Sequence, residues 1–67
     1  MNKIYLNGNL TEINKDLTVE EFISTQGLNN KMIAVAINMK IIHKKDYDKT
    51  IITNGDKIEI VRPVGGG

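Results

Sequence analysis

Thr18-Val19-Glu20-Glu21-Phe22-Ile23-Ser24-Thr25-Gln26-Gly27 is the stretch on which the fold turns, because it is the one helical segment in a chain otherwise patterned for strands. Thr18 and Glu21 stand in capping-box spacing: the Thr18 hydroxyl can accept from the Glu21 N–H while the Glu21 carboxylate reaches back to the Thr18 N–H. Val19, Phe22 and Ile23 fall at i, i+3 and i+4 and make one apolar stripe. Gly27 suits the left-handed position that ends a helix, with Leu28 folding back onto Ile23. The spacing predicts a helix of roughly two to three turns. So short a helix is marginal alone and needs a sheet to pack on.

The flanking sequence supplies that sheet. Lys3 to Leu6 alternates, with Ile4 and Leu6 on one face and Tyr5 on the other, and reads as a strand. Asn7-Gly8 is a tight-hairpin pair, after which Leu10 to Ile13 returns as a second, weaker strand. Beyond the helix, Met32 to Asn38 is the clearest strand: Ile33, Val35 and Ile37 share one face, Ala34 and Ala36 the other. Asn38-Met39-Lys40 reads as a turn and Ile41-Ile42-His43 as a short strand. Lys44 to Lys49 is polar and irregular, with Tyr47 tucked beneath it, and Thr50 to Thr53 is a brief extended or turn segment. After the Asn54-Gly55-Asp56 turn, Lys57 to Arg62 alternates again, with Ile58 and Ile60 on one face and Glu59 and Val61 on the other. Pro63 lacks an N–H and stops the ladder.

A hairpin, one helix, then further strands is the β-grasp pattern: an α+β domain with a mixed sheet and one helix across one face. The first and last strands lie side by side and parallel at its centre. The helix covers Ile4, Leu6, Ile33, Val35, Ile37, Ile58 and Ile60. Residues 1–64 form this domain, and residues 65–67 a flexible glycine tail.

Composition narrows the function. Sixty-seven residues make one small domain, which buries only about 60% of the surface its unfolded chain exposes. That leaves little room for both a core and a deep substrate pocket. Nine basic against eight acidic residues, and three aromatics, give neither a basic face nor a stacking platform for nucleic acid. There is no cysteine and no long apolar run, so the expectation is a cytoplasmic protein, without a membrane segment and monomeric when free. His43 is the only histidine and Ser24 the only serine, and nothing sets a base and an orienting carboxylate around them. Asp46 and Asp48 lack the longer ligand series of a calcium loop and read as solvated carboxylates. No bound cofactor or metal is expected.

What remains is the end, Arg62-Pro63-Val64-Gly65-Gly66-Gly67. Glycines have no side chain to pack, so such a strip either frays or threads into a narrow channel. The glycines are no phosphate cradle, since no lysine and helix N-terminus follow them. The Gly67 α-carboxylate is ionised at neutral pH and unhindered. It can attack the α-phosphate of ATP to give an acyl-adenylate, which is open to a sulfur nucleophile. The Ala34 and Ala36 face has two readings, close packing within the domain or a smooth surface for a partner.

Across essentially its whole length the chain resembles the ThiS sulfur-carrier family of thiamin biosynthesis, a ubiquitin-like β-grasp family. The resemblance lies in Ile4-Tyr5-Leu6-Asn7-Gly8, Thr18-Val19, Val35-Ala36-Ile37-Asn38, the run Asn54 to Val61 and, most specifically, the Arg62 to Gly67 ending. The family often has Asn-Gly-Glu where this chain has Asn38-Met39-Lys40, Pro-Arg in place of His43-Lys44, and Trp in place of Tyr47. The resemblance implies that a partner adenylyltransferase uses ATP and magnesium to adenylate the Gly67 carboxylate. A persulfide-bearing donor then converts it to a thiocarboxylate, and thiazole synthase takes the sulfur. Gly65 and Gly66 would lie in the partner's channel, and Ala34, Ala36, Val61, Pro63 and Val64 form the candidate docking surface. The chain itself is then a co-substrate rather than an enzyme. A carrier for molybdopterin synthesis, or a ubiquitin-like module that binds without covalent chemistry, are the alternatives.

Overall fold

The computed structural model describes residues 2–29 and 31–62. Strands β1 (Asn2–Leu6) and β2 (Asn9–Ile13) form the opening hairpin. Its two-residue turn places Asn7 at φ 50° and Gly8 at φ 85°. Both central residues of a type I′ turn require positive φ, which Asn and Gly tolerate best. A two-residue strand β3 (Leu17–Thr18) runs directly into helix α1 (Val19–Thr25). Then follow β4 (Ala34–Ile37), β5 (Lys40–Ile42), a 3₁₀ turn at Lys44–Asp46, β6 (Ile51–Ile52) and β7 (Lys57–Val61). The main sheet has the order β2-β1-β7-β4-β5, and β3 pairs with β6 as a separate two-stranded ribbon. β7 lies at the centre, parallel to β1 and antiparallel to β4. The mixed sheet with one helix on one face is the architecture expected.

Helix α1 is short, and its first turn is fully accounted for. The Thr18 N–H donates to Glu21 Oε1 at 2.9 Å, and the Glu21 N–H to Thr18 Oγ1 at 3.0 Å. The Val19 and Glu20 N–H groups donate to the carbonyls of Thr50 and Tyr47 at 2.8 and 3.1 Å. The segment following the 3₁₀ turn therefore satisfies helix donors that would otherwise lack partners. At the other end, Leu28 N–H donates to Ile23 O and Gly27 N–H to Ser24 O, with Gly27 at φ 70°. This is a Schellman termination, and Leu28 packs on the core beside it.

The core is Ile4, Ile13, Val19, Phe22, Ile23, Val35, Ile37, Ile52 and Ile58, with Leu6, Ile33 and Ile60 partly buried against it. The strand and helix periodicities meet here: every second residue of β1, β4 and β7 faces the stripe of α1. Ile13 and Ile52 belong to this core, beyond the residues expected from the alternation.

Three boundaries depart from the sequence reading. The strand read as Met32 to Asn38 is confined to Ala34–Ile37: the last β7 partner, Val61, stands opposite Ala34, and among the described residues no pairing follows it. The following turn comprises Asn38 and Met39 alone, so Lys40 pairs with Ile37 and β5 is Lys40–Ile42, with His43 outside it. β3 has no signal in the sequence pattern: Leu17–Thr18 pairs with Ile52 and Ile51, which makes the brief 50–53 segment a strand with a defined partner.

Candidate functional site

The strand that leads to the glycine end is the central one of the sheet. β7 is flanked by β1 and β4, and side-chain amides fix its start. Asn38 Oδ1 accepts from the Lys57 N–H at 3.0 Å while the Asn38 N–H donates to the Lys57 carbonyl at 2.7 Å. Asn38 Nδ2 also donates to Asp56 Oδ1 at 3.1 Å. Asn54 Oδ1 accepts from the Lys3 N–H at 2.7 Å, which ties the turn before β7 to β1. The polar turn residues thus act as additional ladder partners at the sheet's lower rim.

The sheet face away from α1 is open. On it Val61 stands opposite Ala34, and Glu59 opposite Ala36, which in turn pairs with Ile41. Of the residues assigned to a docking surface, Ala34 and Val61 are exposed and adjacent, and Ala36 is half-buried one row away. Pro63, Val64, Gly65, Gly66 and Gly67 lie outside the described residues, as does the boundary between domain and tail. The face also carries residues the sequence reading did not assign to it. Leu10 and Tyr5 pair across the hairpin, and Ile41 extends the Ala36 row, all three exposed. Lys57 sits beside Tyr5 in the parallel register, and Lys3 opposite Glu12. The result is an apolar surface with charged residues set between its parts. Tyr5 was legible as outward-facing from its alternation with Ile4 and Leu6. Its alignment with Leu10 and Lys57 depends on strand register, which no local pattern states.

The helix side holds an open cleft of about 410 Å³ between the end of α1 and the 3₁₀ turn. It is lined by Ile23, Leu28, Lys31, Met32, Lys44 and Tyr47, among others. Burial raises the Tyr47 phenol above its ordinary value. Glu20 is the one carboxylate among the cleft's described lining residues, and no cysteine, serine or histidine is among them. His43 is exposed at the start of the 3₁₀ turn. Among the described residues there is no group of three His, Cys, Asp or Glu side chains placed to hold a metal ion. No helix among them is long and apolar enough to cross a membrane.

Comparison with known proteins points the same way as the ending. The model of the ThiS family matches residues 4–67. The sulfur carrier protein ThiS of Bacillus subtilis is 37% identical over 65 residues, covering 96% of this chain and 98% of that one. A thiazole synthase of Paramagnetospirillum magneticum is 34% identical over 65 residues, and the chain, matched over 97% of its own length, spans 20% of that longer protein. The crystal structure of the thiamine biosynthesis protein ThiS of Geobacter metallireducens superposes with a TM-score of 0.85 at 24% identity, covering 97% of this chain and 99% of that one. At that identity the likeness speaks for the fold.

Proposed function

The chain belongs to the ThiS family and acts as a sulfur carrier in thiamin biosynthesis; we propose that Gly67 is the residue that carries the sulfur, as a C-terminal thiocarboxylate. The observation that carries this reading is that the family match runs through the glycine end to residue 67. It requires Gly67 to be the chain's terminal residue in the working protein.

In the proposed cycle a Gly67 carboxylate oxygen attacks the α-phosphorus of ATP and pyrophosphate leaves. The resulting acyl-adenylate is attacked at its carbonyl carbon by a persulfide sulfur, and AMP leaves. A thiol then attacks the donor's sulfur of this acyl disulfide, so that a new disulfide forms between thiol and donor and the thiocarboxylate leaves. ATP and magnesium belong to the partner adenylyltransferase, the persulfide to a donor enzyme, and thiazole synthase consumes the product. That the P. magneticum thiazole synthase contains a segment similar to this chain supports the last assignment. The carrier is a co-substrate in the cytoplasm, and its own contribution is presentation: a rigid central strand leading to a side-chain-free end.

The open sheet face, with Ala34, Ala36 and Val61 joined by Tyr5, Leu10 and Ile41, is the proposed docking surface. Gly65 and Gly66 are proposed to pass through the partner's channel, where a Cβ would meet the walls. Deleting Gly66 and Gly67 tests the reading: sulfur loading is lost while the thermal melt stays unchanged. Thiocarboxylate formation on the truncated chain would refute Gly67 as the carrier.

A further inference from the structure

Where β1 ends, β7 continues, and one side chain takes over as its partner. Leu6 is the last β1 residue paired with β7, opposite Ile58. The chain then turns away into the β1–β2 hairpin. The Asn7 N–H donates to the Ile58 carbonyl at 2.8 Å. Beyond it, the Asn7 side chain binds Ile60 twice: Oδ1 accepts from the Ile60 N–H at 2.9 Å, and Nδ2 donates to the Ile60 carbonyl at 3.2 Å. An amide side chain presents one donor and one acceptor, as a peptide group does. Asn7 therefore substitutes for the next residue of β1. On the opposite side β7 is held by β4 as far as Val61.

We propose that Asn7 is a positioning residue for sulfur loading: its amide anchors Ile60 from the β1 side and so sets the direction in which β7 hands the chain to the glycine end. The proposal rests on the sulfur-carrier reading. The left-handed φ of Asn7 accounts for the turn, which glycine would serve equally well. The paired contacts to Ile60 are what glycine cannot supply. Without them, β7 beyond Ile58 is held from the β4 side alone, and a partner enzyme must order Ile60 to Arg62 on binding.

Asn7→Gly tests this role, because it keeps the turn conformation and removes the amide, while its looser unfolded chain affects all globally exchanging amides alike. Two exposed hydrogen bonds are lost, so the Ile60 N–H is expected to exchange with solvent about tenfold faster, an acceleration well beyond that of the α1 amides. In adenylation assays with the partner adenylyltransferase, the KM for the carrier rises about tenfold and kcat stays within about twofold, because a binding-stage ordering cost has been added. Asn7→Asp keeps an acceptor for the Ile60 N–H but sets a carboxylate oxygen against the Ile60 carbonyl, and falls between the two. An unchanged KM for Asn7→Gly, with the unaltered chain turning over normally, overturns the positioning role and leaves the sulfur-carrier reading standing. Equal acceleration of exchange at Ile60 and throughout α1 also overturns it, because Asn7 would then stabilise the whole domain. Failure of the enzyme to adenylate the unaltered chain overturns the sulfur-carrier reading and the proposal with it.

Discussion

Replacing Met39 by glycine should make this domain more stable. Met39 is the second residue of the β4–β5 turn, at φ 71°, and follows Asn38 at φ 51°. Asparagine tolerates the left-handed region; methionine gains nothing there and has its Cβ crowded by the following carbonyl. Its side chain is 91% exposed, so no packing offsets the strain. The left-handed conformation costs an L-residue about 1–2 kcal/mol. Glycine removes that cost but brings a more disordered unfolded chain, worth about 0.5–1 kcal/mol in the other direction. The net gain is about 0.5–1 kcal/mol, which in a domain of this size raises Tm by about 2–8 °C. Gly27 provides the mirror experiment. It has φ 70°, and a Cβ built there meets nothing within 4 Å, so Gly27→Ala tests conformation without a clash. It should lose about the amount that Met39→Gly gains. Urea melts with an unchanged m-value, read beside thermal melts, supply the measurement. A Met39→Gly protein that is folded but no more stable than the parent would refute the reasoning, most sharply if Gly27→Ala were also neutral.

Other consequences are simpler. Thr18→Ala removes the hydroxyl half of the capping box and should cost about 1 kcal/mol in urea denaturation. The Glu21 carboxyl is held below its ordinary value of 4.5, first by its backbone hydrogen bond at Thr18 and also by the Thr18 side chain and Lys15. Its folded pKa is depressed, so its contribution is full above pH 4.5 and disappears as the pH falls through the lowered folded value. Acid titrations of Glu21→Gln should lack that component of the stability loss. Ile52 is fully buried whereas its neighbour Ile51 is 50% exposed. Ile52→Ala should cost about 2–5 kcal/mol, and Ile51→Ala far less. Equal losses would contradict the role given to β6.

Local chemistry made much of the fold legible. Asn7-Gly8, the Thr18–Glu21 spacing and Gly27 each declare a turn or a helix end within a few residues. The alternation of Ile4, Leu6, Ile58 and Ile60 declares a shared buried face. β3 and β6 were not legible as a pair because two residues are too few to display a period, and only tertiary packing shows that Ile52 is core. The conformation of Met39 was hidden for a different reason: its residue type argues against positive φ, and the two-residue turn imposes it. On the candidate site, Ala34, Ala36 and Val61 were read correctly as facing away from the helix. That Tyr5, Leu10 and Ile41 share their face follows from register across separate strands, which single-strand patterns do not encode. The same holds for Asn7, whose turn role is plain in the sequence while its bonds to Ile60 span the length of the chain.

The central claim is that Gly67 carries sulfur, and intact mass tests it most directly. The chain is incubated with ATP, magnesium, the partner adenylyltransferase and a persulfide source, then weighed whole and fragmented. The account predicts a gain equal to replacing one oxygen by sulfur, localised to Gly67. An unchanged mass alongside a demonstrably active enzyme, or a sulfur localised to any other residue, would contradict it.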